Sequence, residues 1–299
     1  MRDACPAPAG PACTAFREAE RVLLARRAGA PDIPAALEAA LAAVPGAARA
    51  GFEVAAARRI AAAAEAFGAA LPAGSEPAYH DRHHQAETVL VMGWLCARAL
   101  AAGRLTPEEA LVGIAGMAAH DLRHPGRPNR CRNELEHAAA AEAAALAAAA
   151  GAAPGWCEAL RGVVLATAMP QPGPTERVPL LHRLAHEADI YASALPQLGR
   201  RLSRAIADEL RAAGEPDAEV PATHAGRLAF LSAIPEPTEE AAALGLGCAR
   251  AVQFAAYARC AAELGLPPTA EAGAAALDRL DRAAADARLD AALAGAAEP

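Results

Sequence analysis

The chain has 299 residues, enough for one large domain or two small ones with a substantial core. Alanine dominates, aromatic residues make up only 3%, and every basic residue is an arginine. The formal net charge is −7 and no basic run is present, so a nucleic-acid-binding protein is not expected.

The composition predicts an all-α fold, because Ala, Leu, Glu and Arg are strong helix formers and β-branched residues are sparse. Asp32 before Pro34 is typical of a helix N-terminus. The Thr106–Glu109 segment is a capping box, and Thr238 and Thr269 open two more helices. The predicted helices span residues 14–27, 33–44, 51–70, 82–102, 107–121, 134–150, 155–168, 176–193, 197–213, 222–232, 238–264 and 269–295.

None of the loops between these helices is long enough to be an interdomain linker. We therefore expect a compact multi-helix domain with an N-terminal helical cap at 1–70, a main body at 71–265 and a C-terminal helix at 266–299. The final helix is charged on one side, which is typical of a solvated face; packing against a second copy of the chain is the alternative. The alanine-rich stretch 138–153 contains Glu142, which favours a packed helix over a membrane span.

Seven cysteines are scattered along the chain, and no CxxC pair occurs. This pattern indicates neither a disulfide framework nor a cysteine zinc site, and it suits the reducing cytoplasm. The N-terminus has no apolar segment behind its first arginine, so a secretory signal is not expected. The sequence therefore predicts a cytoplasmic protein without a membrane partner.

Six of the nine histidines lie between residues 80 and 137, in groups that favour metal chemistry. His80 and His84 are four residues apart, so a helix places them on one face. The His120-Asp121 pair ends an apolar helix, where a buried charge needs pairing or a metal ion. Asp189 is another carboxylate inside an apolar helix.

These residues resemble the HD superfamily of metal-dependent phosphohydrolases, whose ligands follow in the order His, His-Asp, Asp. The matching positions are His84, His120, Asp121 and Asp189. The segment 79–84 (YHDRHH) resembles the YHNxxH pattern of class I cyclic nucleotide phosphodiesterases, and 120–129 (HDLRHPGRPN) matches their HDxxHPGxxN pattern at every defined position. Residues 164–169 (VLATAM) resemble their VLATDM pattern. The motifs cover 79–231, half of the chain.

The resemblance implies that residues 71–265 form a catalytic domain that hydrolyses a 3′,5′-cyclic nucleotide to a 5′-nucleotide. A hydroxide between two divalent ions would attack phosphorus. Zinc, iron or manganese would occupy the first site, and magnesium or manganese the second, to which Asp121 would bridge. His80 would be the general acid that protonates the leaving ribose oxygen.

The resemblance also implies roles for residues that would contact the metal ligands, a metal-bound water or the phosphate without binding a metal ion. His124 would hydrogen-bond a metal-bound water, and Asn129 would orient the phosphate side of the site or the ligands. Glu136 and Thr167 would support the ligand residues, with Glu134 as a rival to Glu136 because the register is uncertain there.

The implied substrate pocket contains Tyr79, Arg227 and Phe230, with the Phe230 ring stacked on the base. Arg227 replaces the family's glutamine and offers donors only, which suits guanine or a phosphate; a surface arginine in a misaligned motif is the other interpretation. Asp81 replaces an asparagine and would add negative charge near the phosphate or raise the pKa of the acid histidine. Ala168 replaces an aspartate, so one supporting carboxylate is missing.

Three functions remain open at this level. The first is cyclic nucleotide hydrolysis, and the second is hydrolysis of a nucleoside monophosphate or another phosphoester by the same metals. The third is a degenerate module that senses a nucleotide without turnover. Retention of His80 and of all four ligand positions argues against the third function. Ala168 and Arg227 keep the third function open, but they favour the second more. In each case the partner is a small-molecule nucleotide or phosphoester. His186, three residues before Asp189, is an alternative additional ligand.

Overall fold

The computed structural model describes residues 11–47, 51–168 and 178–295. The described residues form helices and loops without a strand, which confirms the all-α prediction. The helices are α1 (Pro11–Arg27), α2 (Ile33–Ala43), α3 (Phe52–Ala70), α4 (Arg82–Ala101), α5 (Pro107–Ala119), α6 (Glu134–Ala149), α7 (Pro154–Leu165), α8 (Leu180–Ala194), α9 (Pro196–Ala212), α10 (His224–Ala233), α11 (Glu239–Ala243), α12 (Leu246–Glu263), α13 (Ala270–Leu277) and α14 (Arg282–Gly295).

The chain divides into two compact units. The central unit is Leu23–Ala192, and the terminal unit combines Met1–Val22 with Ser193–Pro299. These boundaries fall inside α1 and α8. The expected division into a cap, a main body and a C-terminal helix stays a prediction.

The central unit is organised around α5. This helix packs against α2, α3, α4, α6 and α7, and every residue from Ala110 to Ala119 is buried. Glycine permits a close approach of α2 and α4, since a Cβ at Gly93 would lie 2.7 Å from the Ala40 Cβ. The alanine-rich α6 packs on α3 and α7 and buries five of its alanines, which agrees with the packed helix predicted in the stretch 138–153, although the helix ends at Ala149.

Helix starts follow the predicted capping residues. The Thr106 side chain accepts a hydrogen bond from the Glu109 backbone N–H, and the Glu109 carboxylate accepts one from the Thr106 N–H. Asp32 caps α2, and Thr238 and Thr269 cap α11 and α13. Each cap satisfies backbone donors that have no partner inside the helix.

The terminal unit is organised around α12, which packs against α9, α11, α13 and α14. Its core includes the fully buried Tyr257 and Leu277. The Glu20 carboxylate accepts hydrogen bonds from the Gln197 and Leu198 N–H groups at 2.7 and 2.9 Å. Glu20 therefore caps the first turn of α9, a position where the helix dipole favours negative charge.

Two predicted helices are each broken in the structure. The predicted helix 238–264 is wrong because Gly245 adopts a left-handed conformation (φ 85°) between α11 and α12. The predicted helix 269–295 is wrong because α13 ends at Leu277 and α14 begins at Arg282. Between them, the Asp281 side chain accepts a hydrogen bond from the Ala284 N–H and so starts a new helix.

A disulfide joins Cys13 to Cys248 within the terminal unit, between α1 and α12. The interpretation of the cysteines as unpaired is therefore wrong for this pair. The two residues are separated by 235 positions in the chain, so no local spacing signals the bond. Among the described residues, Cys96, Cys131, Cys157 and Cys260 take part in no disulfide, and Cys5 lies outside the described residues.

None of the helices that the structure describes combines the length and the apolar character needed to cross a membrane.

Candidate metal centre

The first turn of α4 places His84 in the buried interior of the central unit. Asp81 caps this helix, and its Oδ1 accepts a hydrogen bond of 2.7 Å from the His84 backbone N–H. The other Asp81 oxygen lies 3.5 Å from Arg27 Nη1, and Arg27 also donates to Glu87 at 2.7 and 2.9 Å. Asp81, which replaces the asparagine of the YHNxxH pattern, thus has a structural role: it caps α4, and its carboxylate faces Arg27.

His120 and Asp121 enter the same interior from the end of α5. The His120 ring is buried, and its Nδ1 lies 2.8 Å from the Met117 carbonyl oxygen. A carbonyl only accepts, so Nδ1 carries a proton, and Nε2 offers a lone pair to a cation once its own proton is lost. A backbone acceptor on one ring nitrogen is the usual way to orient a metal-binding histidine through the other.

Four side-chain atoms converge at this point. The Nε2 atoms of His84 and His120 are 3.3 Å apart, and Asp121 Oδ2 lies 3.4 and 3.1 Å from them, respectively. Asp189 Oδ1, from α8, lies 3.1 Å from His84 Nε2 and 3.4 Å from His120 Nε2. Ligands bound to one first-row divalent ion at about 2.0–2.1 Å lie roughly 3 Å apart, so the separations among His84, His120 and Asp121 suit a shared ion. Asp189 approaches both imidazoles but lies outside this ligand group.

Hydrogen bonding accounts for only part of this convergence, since it joins His84 Nε2 to Asp189 Oδ1. Asp121 Oδ2 is buried and makes no hydrogen bond with any described residue, despite the two imidazoles beside it. A buried carboxylate oxygen without a partner is costly, and a cation removes that cost. Two imidazoles with carboxylate oxygens are also a donor set that suits zinc, iron or manganese. The residues therefore fit a divalent ion, with His84, His120 and Asp121 as a candidate ligand group.

The buried histidine and the two aspartates of the centre shift one another's pKa values. Burial alone would lower the pKa of His120, but the neighbouring Asp121 and Asp189 outweigh it and raise that pKa well above its ordinary value. Burial alone would raise the pKa of Asp121, but His120 and His80 reverse the shift and lower it well below its ordinary value. The pKa of Asp189 is lowered as well, because hydrogen bonds to His120 and His84 outweigh its burial. Both acids are thus kept as carboxylates.

A second group of candidate ligands adjoins the first and shares Asp121 with it. Ligand atoms of His80, Asp121 and His124 all lie within 4.8 Å of one another. The His80 and His124 rings are stacked, with centroids 3.7 Å apart and planes inclined by 30°. Asp121 is thus the residue that the two candidate groups share.

The proton on His124 is assigned by the loop that follows it. The Gly126 backbone N–H donates to His124 Nδ1 at 3.2 Å, so Nδ1 is an acceptor and the neutral ring carries its proton on Nε2. An Nε2–H group donates hydrogen bonds and cannot simultaneously bind an ion. This tautomer favours His124 as a donor beside the centre over His124 as a ligand.

The loop after Asp121 is held in place by contacts of Arg123 that no sequence motif indicates. Arg123 has a left-handed backbone (φ 60°), which is uncommon for a residue other than glycine. Its Nε donates to both Glu142 oxygens at 2.7 and 2.8 Å, and its guanidinium lies 5.1 Å from the centre of the Phe67 ring. Glu142 is 19 residues from Arg123, on α6, so no local pattern could predict this pairing.

The next part of the loop separates the roles of Glu136 and Glu134. Asn129 Nδ2 donates to both Glu136 oxygens, at 3.1 and 2.9 Å, and Asn129 Oδ1 accepts from the Leu135 N–H at 2.7 Å. Glu134 instead pairs with Arg127 at 2.7 Å. Glu136 is thus the glutamate linked to the end of the HDxxHPGxxN segment. Asn129 is itself exposed.

Other predicted residues of the central unit lie as follows. The Tyr79 ring lies 4.7 Å from both the His80 and the His84 ring centres. Thr167 is buried, and its hydroxyl donates to the Val164 carbonyl at 2.8 Å. His186 is buried but belongs to neither ligand group of the described residues.

The predicted base-binding residues Arg227 and Phe230 lie on α10, in the terminal unit. Arg227 is buried and donates to the carbonyl oxygens of Ser193 and Leu195 and to Gln253 Oε1, at 2.5, 2.8 and 2.7 Å. It is therefore not a surface arginine. The predicted roles of Arg227 and Phe230 in substrate binding stay predictions.

No protein family model, curated protein or solved structure matches the chain. The grounds for any functional assignment are thus the motif residues and the geometry described above.

Proposed function

We propose that this chain is a metal-dependent phosphohydrolase of the HD type, and that its substrate is a 3′,5′-cyclic nucleotide. The observation that carries the proposal is the convergence of two imidazole nitrogens on Asp121 Oδ2, a buried oxygen that has no hydrogen-bond partner among the residues the structure describes. The order of the residues along the chain and the loop after Asp121 agree with the resemblance to class I phosphodiesterases.

In this proposal His84, His120, Asp121 and Asp189 hold the first ion, which would be zinc, iron or manganese. Asp121, which both candidate groups share, would also be a ligand of a second ion, magnesium or manganese. When bound, the two ions supply Lewis acidity toward the phosphoryl oxygens and increase the acidity of water.

The remaining steps belong to the protein's own side chains. His80 donates a proton to the leaving ribose oxygen, so the alcohol leaves neutral. His124 keeps its proton on Nε2 through the Gly126 contact and donates a hydrogen bond into the centre. The stacked His80 and His124 rings hold each other's orientation, which reduces the motion of the acid.

One observation favours the second candidate, hydrolysis of a nucleoside monophosphate or another phosphoester. The Arg227 guanidinium already binds two backbone carbonyls and Gln253, so most of its donors are used inside the terminal unit. A side chain committed in this way is poorly suited to reading the edge of a purine. The metal chemistry of the central unit is the same for both candidates.

The test is hydrolysis of cAMP, cGMP and 5′-AMP by the purified protein with Mn²⁺ or Mg²⁺. Asp121→Ala should abolish activity, whereas Asp208→Ala, a change at an exposed aspartate of α9, should not. Turnover of a cyclic nucleotide that depends on Asp121 supports the first candidate. Turnover of 5′-AMP alone supports the second, and a folded, metal-loaded protein that hydrolyses none of these or other phosphoesters would refute both and favour a sensing module.

A further inference from the structure

The terminal unit contains a cavity of its own, with a volume of about 270 Å³. Its charged lining residues are Arg200, Arg204, Arg227, Arg282, Asp278 and Asp286. Four arginines face two aspartates in this lining, and Arg200 also pairs with Asp290, so one net positive charge remains around the cavity. No residue of the metal centre lines it, so the proposed hydrolase function does not explain it.

The buried Arg227 is the strongest sign of a ligand. This side chain is only 3% exposed, and the partners of its guanidinium are neutral oxygens of Ser193, Leu195, Ser203 and Gln253. Its Nε is buried and has no hydrogen-bond partner among the described residues. A buried cation without a hydrogen-bonded carboxylate is costly, and an anion in the adjoining cavity would offset its charge.

The two aspartates of the cavity already have partners. The Asp278 carboxylate accepts hydrogen bonds from the His224 and Ala225 N–H groups at 2.7 and 3.0 Å. Asp286 accepts from Arg204 Nη2 at 2.6 Å and lies 3.5 Å from Arg200 Nη1. Neither acid therefore neutralises Arg227 through a direct hydrogen bond.

Neutral polar groups complete the lining. Tyr257 is buried, and its hydroxyl lies 3.3 Å from His224 Nδ1. The side chains of Ser203 and Thr223 also line the cavity. Hydroxyls beside arginines are groups that bind phosphoryl oxygens, and arginine forms strong charge-assisted hydrogen bonds with them. The volume is just below the usual range for small-molecule sites.

We propose that this cavity binds a phosphoryl dianion, carried by a small phosphomonoester or present as inorganic phosphate. The site is distinct from the metal centre in its residues, and it needs no metal ion. Occupancy would compensate the buried Arg227 and would therefore stabilise the terminal unit by linkage.

The experiment measures binding of inorganic phosphate, 5′-AMP and adenosine to the full chain by calorimetry, in EDTA and about 150 mM NaCl, where loose surface binding is screened. We expect saturable binding of phosphate or 5′-AMP and none of adenosine. Tighter binding of 5′-AMP than of phosphate would identify a phosphomonoester as the ligand, and the reverse would identify phosphate. Absence of saturable binding of both anions, or equal binding of adenosine, would overturn the proposal.

Two double variants with the same charge change locate the site. Arg204→Gln with Arg282→Gln removes two cations from the cavity, and binding should weaken at least about tenfold. Arg201→Gln with Arg211→Gln removes two exposed cations that do not line it, and binding should stay within about twofold. Equal weakening in both variants would indicate general surface charge and would refute the proposal.

A final control separates this site from the metal centre. Asp121→Ala should bind the anion as the wild type does, because Asp121 is not part of the cavity. If Asp121→Ala abolished binding in EDTA, the anion would occupy the central unit and the proposed cavity site would be wrong. A failure of the hydrolase proposal would leave this result unaffected.

Discussion

The central and terminal units bury charge in opposite ways. In the central unit a carboxylate oxygen of Asp121 is buried beside two imidazoles and has no hydrogen-bond partner in the described part of the chain. In the terminal unit a guanidinium, that of Arg227, is buried among neutral oxygens. Since a buried charge must be compensated, the first arrangement predicts a bound cation and the second a bound anion. In each unit, the sign of the uncompensated buried charge indicates the charge of the expected ligand: a cation beside Asp121 and an anion beside Arg227.

The largest expected effect tests whether His80 is an acid or a ligand. His80→Ala should lower turnover by about 10²–10⁴-fold while the metal content stays unchanged, because a general acid acts on the leaving group. Turnover and metal content of the same preparation check this, with His83→Ala, a half-buried neighbour, as the control. Loss of one ion in His80→Ala would instead place His80 in the ligand set with Asp121 and His124.

In the terminal unit, Arg227→Gln should destabilise the fold by about 3 kcal/mol, because a glutamine cannot reach all the carbonyl oxygens that Arg227 satisfies. Denaturant unfolding measures the change. Arg201→Gln, at an exposed position of α9, should change the free energy of unfolding by less than about 0.5 kcal/mol. An unchanged stability together with a new base preference would contradict the structural role and place Arg227 in the substrate pocket.

The pH dependence of stability tests the burial beside Arg227. Burial raises the pKa of Tyr257 from 10.0 to about 12. Because the folded state holds this proton more tightly than the unfolded state, its contribution is complete below pH 10 and is lost as the pH rises toward 12. The loss amounts to about 2–3 kcal/mol.

Tyr257→Phe should remove this part of the alkaline loss and, at pH 7, should cost about 1 kcal/mol for the lost hydroxyl contact with His224. Unfolding free energies at pH 7, 10 and 11 measure both effects. An identical alkaline loss in Tyr257→Phe and the wild type would show that this phenol is not the group responsible.

The smallest expected effect concerns the loop after Asp121. Glu142→Ala should weaken Mn²⁺ binding about threefold to tenfold, because Arg123 would lose the partner that helps to hold its left-handed backbone. Adding Arg123→Gly should restore part of the affinity, since glycine adopts this conformation without strain. Glu158→Ala, at an exposed glutamate, is the control. If the double variant bound Mn²⁺ more weakly than Glu142→Ala alone, the Arg123–Glu142 pair would not act by holding the backbone of Arg123.

Much of the local structure could be predicted because its causes are local. The capping box at Thr106 and the buried alanine face of α6 follow from spacing and propensity. The break at Gly245 was missed because a glycine inside a helical pattern is often tolerated, and the pattern alone does not reveal a left-handed residue.

The long-range contacts could not be predicted in the same way. The convergence of His84 with His120 was expected only through the family resemblance, which fixes order but not distance. The Cys13–Cys248 bond and the Arg123–Glu142 pair join residues far apart in sequence, and a single sequence contains no signal for them. Asp81 illustrates the same limit, since its role as a helix cap facing Arg27 depends on where α1 lies.

The central claim is that the interior of the central unit binds a divalent transition-metal ion. Its most direct test is the metal content of the purified protein, measured by elemental mass spectrometry after loading with zinc, iron or manganese and dialysis. The account predicts at least one ion per chain in the wild type and in His137→Ala, an exposed histidine, and none in folded Asp121→Ala. A folded wild-type protein that retains no ion, or an Asp121→Ala variant that retains as much as the wild type, would contradict it.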